Sequence, residues 1–142
     1  MNLDCQGSGC VRYKMEDNTP AASKSNPVTD STQCTWRASE FWKQMTGRYH
    51  NWAGNAGDWD TNAKDTGWTV LSWPRPDSLA IWQPDMEGAG WTGHVGYVGD
   101  VRVRSGKLQV RVWDRNWGPD RNGVWIDFIE GMKFIVAPPR VK

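Results

Sequence analysis

Two periodicities, one after the other, constrain this chain more than any other feature. Ala38, Phe41, Trp42 and Met45 recur at the spacing of one buried helical face. From Leu79 onward the apolar residues come instead in the short runs and alternations that strands show. Asp30, Ser31 and Thr32 are suited to cap the first helix, and Gly47 predicts its end. A second, shorter helix is predicted over 58–66, with Trp59 and Ala63 four apart and Gly67 as its stop. Beyond Pro74 and Pro76, strands are predicted over 79–82, 94–98 and 132–136. Residues 102–104 and 107–113 form a hairpin around Ser105 and Gly106. Helices first and a meander of strands afterwards predict an α+β domain with an antiparallel sheet.

At 142 residues the chain fits one domain. Residues 1–30, rich in Asn, Ser, Thr, Pro and Asp, are expected to form a polar leader that is mostly loop, and residues 31–142 the domain itself. The 17 Lys and Arg residues against 16 Asp and Glu leave a net charge of +1 without a basic run. That lacks the electrostatic footprint of a nucleic-acid binder. A mean hydropathy of −0.71 and the absence of a long apolar run exclude a spanning helix. The opening MNLDCQGSGC is polar and does not read as a secretory signal. Of the three cysteines, Cys5 and Cys10 lie in the leader, where they either bridge each other or stay free. A zinc site needs four ligands, and nothing near that pair supplies the other two, so no metal is expected. Eleven tryptophans are too many for the core of so small a domain. Some are expected to line a groove where flat rings stack on sugar or peptide.

The third cysteine carries the chemical argument. Cys34 lies four residues before Ala38, on the same inward face and in the first helical turn. A helix N-terminus favours the thiolate, the form in which a cysteine is nucleophilic. A buried structural thiol is the alternative. A base must come from one of two histidines. His50 sits in a polar, Gly/Asn-rich stretch and is expected to be a solvated loop residue. His94 opens a predicted strand and shares its face with Gly96 and Val98, the glycine leaving room beside the imidazole. In the strand after the hairpin, Leu108, Val110 and Val112 form the apolar face, and Asp114 and Asn116 continue the same parity. If the strand runs on, both point inward and require a polar partner. If it ends at Trp113, they cap a turn.

These residues resemble the CHAP domain family, the cysteine, histidine-dependent amidohydrolases/peptidases. Gln33-Cys34-Thr35-Trp36 is similar to the opening of the family's catalytic helix. Gly54-Asn55-Ala56 with Trp59, the PDSLAIW run from Pro76 to Trp82, and Gly93-His94-Val95-Gly96-Tyr97-Val98 follow in order. Asp114-Arg115-Asn116-Trp117 resembles the family's Glu-x-Asn-Trp segment, with Asp where Glu is common. The resemblance implies a papain-like fold, with N-terminal helices packed on a multi-stranded antiparallel sheet. It implies hydrolysis of an amide in bacterial peptidoglycan, by amidase or endopeptidase action, in a protein secreted or delivered to the wall or periplasm. It makes Cys34 the nucleophile and His94 the general base and acid. Asp114 or Asn116 is the orienting group, with Asp114 preferred although it is one methylene short. Gln33 would help stabilise the oxyanion together with the Cys34 N–H. Trp36, Trp91 and Trp117 are the candidate substrate contacts. Some relatives bind calcium through closely spaced acidic residues before the nucleophile; only Asp30 stands there, so no calcium site and no cofactor is expected. A monomer is expected. The competing readings are a non-catalytic, Trp-rich wall-binding module and an amidase acting on a small peptide conjugate.

Overall fold

In the computed structural model, residues 25–116 and 118–136 are described. The first apolar stripe forms helix α1 (Cys34–Thr46), which buries Ala38, Phe41, Trp42 and Met45. It ends at Gly47, whose φ of 84° lets its N–H donate to the Lys43 carbonyl at 2.7 Å. The start differs from expectation, because the N-cap is Gln33 and not a residue of the 30–32 cluster. Asp30 folds its carboxylate onto its own turn instead, accepting from the Thr32 N–H at 3.0 Å and the Thr32 hydroxyl at 2.6 Å. The end of the expected leader is tied to this helix, since Asn26 Nδ2 donates to Trp36 O at 3.1 Å and Glu40 Oε2 at 2.9 Å. Residues 1–24, with Cys5 and Cys10, lie outside the described residues. A 3-10 turn (Ala56–Asp58) leads into the second predicted helix, α2 (Trp59–Asp65).

The strands are β1 (Thr69–Leu71), β2 (Ser78–Trp82), β3 (His94–Arg104), β4 (Lys107–Asp114), β5 (Arg121–Asp127) and β6 (Lys133–Val136). They form one antiparallel sheet of order β1-β6-β2-β3-β4-β5. The described architecture is thus α+β with an antiparallel sheet, as the periodicity switch predicts. Two pieces predicted separately, 94–98 and 102–104, are one strand. A register shift between Val98 and Asp100 breaks the alternation that would have joined them. At the predicted hairpin turn Ser105 and Gly106 both have positive φ, 53° and 75°, as a two-residue turn of the I′ kind requires.

The sheet buries both faces. Against α1 and α2 it presents Leu79, Ile81, Val95, Tyr97 and Ile135. The opposite face carries Ala80, Trp82, Val98, Val110, Val112 and Phe134, packed with Met132 and the partly buried Met86, Phe128 and Ile129. On the helical side Trp42, Trp52, Trp59 and Trp68 form a nest of edge-on rings, with Trp42 lying 5.1 Å from Trp52 and 5.3 Å from Trp68. The Trp59 indole N–H donates to Gly54 O at 3.0 Å. Those of Trp42, Trp52 and Trp68 meet no hydrogen-bond acceptor among the described residues. Edge-to-face contact, which turns the electropositive ring edge onto a neighbour's π-face, offsets part of that deficit.

His50, expected to be solvated, is fully buried in this nest. Its ring stacks on Trp52 at 4.1 Å and meets Trp59 edge-on at 4.6 Å. Nδ1 lies 3.1 Å from Trp52 O, which can only accept, so Nδ1 carries the proton. Nε2 then faces the Ser39 hydroxyl at 2.6 Å. Both nitrogens are satisfied inside, and burial pushes the imidazole down to about 3. The exposed neighbours Asn51, Gly54 and Asn55 gave the segment its solvated look. Among the described residues no helix is long and apolar enough to cross a membrane.

Candidate active site

Cys34 is the first residue of α1 and is partly buried. The backbone N–H groups of Val95, Thr35 and Cys34 itself favour its thiolate, as a helix start should. Burial outweighs them and pushes the thiol above its ordinary pKa, with the Asp114 charge acting in the same direction. The expected lowering is therefore not the net result. Helical position supplies N–H donors, but the desolvation that opposes them depends on the sheet packed alongside. The contact with the Val95 N–H brings the sulfur to the backbone of β3, one residue from His94.

His94 opens β3, and the approach to it is tightly fixed. Gly93 has a φ of 73°, and a Cβ there would lie 2.5 Å from Gly57 Cα and 2.7 Å from Trp82 O. Only glycine fits. His94 is paired with Trp82 across β2 and β3, with ring centroids 5.1 Å apart, and is buried. Its Nε2 lies 2.9 Å from Asp114 Oδ2. A carboxylate partner assigns the proton to Nε2 and leaves Nδ1 as the basic nitrogen. The space expected beside the imidazole at Gly96 is filled by the Asp114 stem, since a Cβ on Gly96 would come 3.0 Å from Asp114 Cβ. Burial is the largest influence on His94 and pushes its pKa down; Asp114 pulls it up, and Arg121 adds to the depression.

Asp114 ends β4 and is buried. Burial raises its pKa, but hydrogen bonds from His94 and Arg121 outweigh that and hold the carboxyl below the usual carboxylate range. Asn116 does not reach His94. The strand stops at Asp114 and the chain turns left-handed at Asn116, φ 65°, so the inward parity does not carry on. Exposed at the surface, Asn116 Nδ2 donates to Gln33 Oε1 at 3.2 Å, while Gln33 Nε2 donates to Asp30 Oδ2 at 3.2 Å. The Gln33 carboxamide is thereby held from both ends beside Cys34. Trp36 lies under the Arg115 guanidinium at 5.7 Å, Trp91 is 76% exposed in the turn before Gly93, and Trp117 lies outside the described residues. Among the described residues no three His, Cys, Asp or Glu side chains cluster as a metal site would require.

The family model of the CHAP domain matches residues 23–116, well over half of the chain. The chain belongs to the CHAP domain family. This CHAP domain is 35% identical over 100 residues to a Streptococcus mutans serotype c protein named "Putative hydrolase", covering 67% of the chain and 41% of that protein. It is similar in fold to an N-acetylmuramoyl-L-alanine amidase from Staphylococcus aureus, with a TM-score of 0.61 at 19% identity, over 87% of the chain and 37% of that structure. The chain thus spans about two fifths of the length of either relative.

Two arginines of this CHAP domain, which the sequence does not single out, serve the site. Arg121 donates from Nε to Asp114 Oδ1 at 2.9 Å and Oδ2 at 3.1 Å, and its terminal nitrogen also contacts Oδ2. Arg37, one turn along α1 from Cys34, donates to the backbone carbonyls of Asp114 at 2.6 Å and Arg121 at 3.1 Å and contacts Asn122 Oδ1. An arginine in a polar loop reads as a solvated charge. The available signal was indirect: a carboxylate placed on an inward face calls for a cation, and Arg121 follows it by seven residues.

Proposed function

We propose that this CHAP domain hydrolyses an amide bond of bacterial cell-wall peptide by acyl transfer through Cys34. The carrying observation is the His94 Nε2–Asp114 contact of 2.9 Å, which directs basic Nδ1 elsewhere while the Cys34 sulfur meets the next residue's N–H. That arrangement, a nucleophile at a helix start against a histidine on an antiparallel sheet, is papain-like. With the thiol pushed up and the imidazole pushed down, both rest neutral. The proton therefore moves as the substrate is attacked. Cys34 Sγ bonds to the amide carbon while His94 Nδ1 takes the thiol proton. The oxyanion is stabilised by the Cys34 N–H and by the Gln33 carboxamide, whose orientation Asp30 and Asn116 fix. His94 returns the proton to the leaving amine as the C–N bond breaks, giving a thioester. Water then attacks the thioester, losing a proton to His94, and the acid leaves as the thiol is restored.

Asp114 orients the imidazole and stabilises its charged form. The missing methylene is made up by Gly96, which lets the Asp114 stem lie against β3. Trp91, whose ring is exposed, and Trp36 are the proposed contacts for substrate. The substrate class is supported by family membership and by the fold shared with a wall amidase. Family membership likewise supports a site of action at the wall or periplasm. The test is release of fragments from purified walls. Cys34→Ala should abolish it with an unchanged melting temperature, and retained release would sink the reading. Wall binding without release by the wild type would favour a binding module instead. Mass spectrometry of the fragments distinguishes amidase from endopeptidase.

A further inference from the structure

We propose that Arg121 is a positioning residue of this site: it fixes the Asp114 carboxylate so that Oδ2 is presented to His94. The inference rests on reading His94 as the base. Asp114 has a side chain with no solvent exposure, while that of Arg121 is 22% exposed. A buried carboxylate on a one-carbon stem, held by His94 alone, is free to swing about its terminal torsion. Arg121 removes that freedom by engaging both oxygens, and a planar guanidinium fork dictates the carboxylate plane. Arg121 is itself fixed three times over. It is the register partner of Asp114 across β4 and β5. Its guanidinium lies 5.9 Å from the centre of the Trp82 ring, which also flanks His94. Its carbonyl is taken by Arg37, which binds the Asp114 carbonyl with the same nitrogen. The orienting carboxylate is thereby tied to the helix that carries Cys34.

Among the described groups, Asp114 from β4, Arg121 from β5 and the Trp82 ring from β2 act on His94, with Arg37 and Asp120 reaching Asp114 from outside and Cys34 of α1 lying against the next residue's N–H. Arg121 opposes a positive charge on His94 directly, so removing it should make the imidazole more basic. The experiment is an NMR titration of the His94 ring protons in the wild type, Arg121→Gln and Arg121→Lys, alongside the pH profile of wall release. In Arg121→Gln the His94 midpoint and the acid limb of kcat/KM should both rise, by about half a unit or more. Its kcat should fall roughly 10-fold to 100-fold with KM little changed. Arg121→Lys, with charge but no fork, should keep the wild-type limb and still lose kcat several-fold. A His94 midpoint and kcat both unchanged in Arg121→Gln would overturn the proposal. Should that variant fail to fold, unchanged kcat in Arg121→Lys would overturn it equally. The titration needs no turnover: a shifted His94 in a protein that releases nothing from walls would refute the proposed function and leave the Arg121–Asp114–His94 coupling standing.

Discussion

Replacing His50 by glutamine should flatten the acid side of this protein's stability curve. In the fold the imidazole stays neutral down to about 3, whereas in the unfolded chain it titrates near 6.5. Above that ordinary value neither state binds a proton here, and the residue's stabilisation is fully present. As the pH falls below it, the unfolded chain takes up a proton that the folded chain refuses, so stability is lost at about 1.4 kcal/mol per pH unit. By about pH 4.5 the loss should be about 3 kcal/mol, a large share of the 5–15 kcal/mol typical of a domain. The buried His94 acts with the same sign, and the carboxylates held low act at still lower pH. Both are common to the two proteins, so the difference between them isolates His50. The assay is the urea midpoint at several pH values between about 4.5 and 7.5, converted to free energy with the measured slope. His50→Gln should be less stable than the wild type at neutral pH, by about 1–3 kcal/mol, because the stacked, doubly hydrogen-bonded ring is lost. The two curves should converge on acidification. Parallel curves would refute the reasoning, since they would mean that the ring is protonated in the fold or exchanges with solvent.

Three further outcomes are expected. Carbamidomethylation of Cys34 by iodoacetamide, with Cys5 and Cys10 replaced, should accelerate with pH through and above neutrality, because burial pushes the thiol up; a fast rate independent of pH between about 5 and 8 would indicate a preformed thiolate instead. Asp114→Asn should cut kcat by about 100-fold or more, whereas Asn116→Gly, which keeps the left-handed backbone, should cost only a few-fold and leave His94 titration in place; equal losses in both would reverse the assignment. Gly96→Ala should lower kcat and destabilise by about 1–3 kcal/mol, read by kinetics and urea melts, because its new methyl group would press on the Asp114 stem at 3.0 Å.

Much of this was legible in the chain because it depends on near neighbours. The phase of α1, the Gly47 stop, the β3–β4 turn and the small residue beside His94 each follow from residues a few positions apart. The edge strands β1 and β5 were not legible. β5 exposes Asn122, Val124 and Asp127 and has Gly123 inside it, so it lacks a clean apolar alternation. Burial set by distant packing was hidden as well. His50 looks polar by its neighbours and is enclosed by Trp52, Trp59 and Ser39. Helix position gave Cys34 its N–H donors, but not the desolvation that reverses their effect. The choice between Asp114 and Asn116 turned on where one strand stops. Arg121 was invisible because its value depends on a carboxylate whose burial the chain does not announce.

The Arg37 contacts bear on when the site comes into being during folding. They close spans of 77 residues to Asp114 and 84 to Arg121. Closures of that length come after local helix and hairpin formation, because each carries a large entropy cost before any contact rewards it. Until β4 and β5 dock, the α1 thiol has neither an oriented imidazole nor the sheet that encloses it. The proposed site is therefore among the last features this chain assembles, and a fragment ending short of β5 would carry Cys34, His94 and Asp114 without the guanidinium that grips the Asp114 carboxylate.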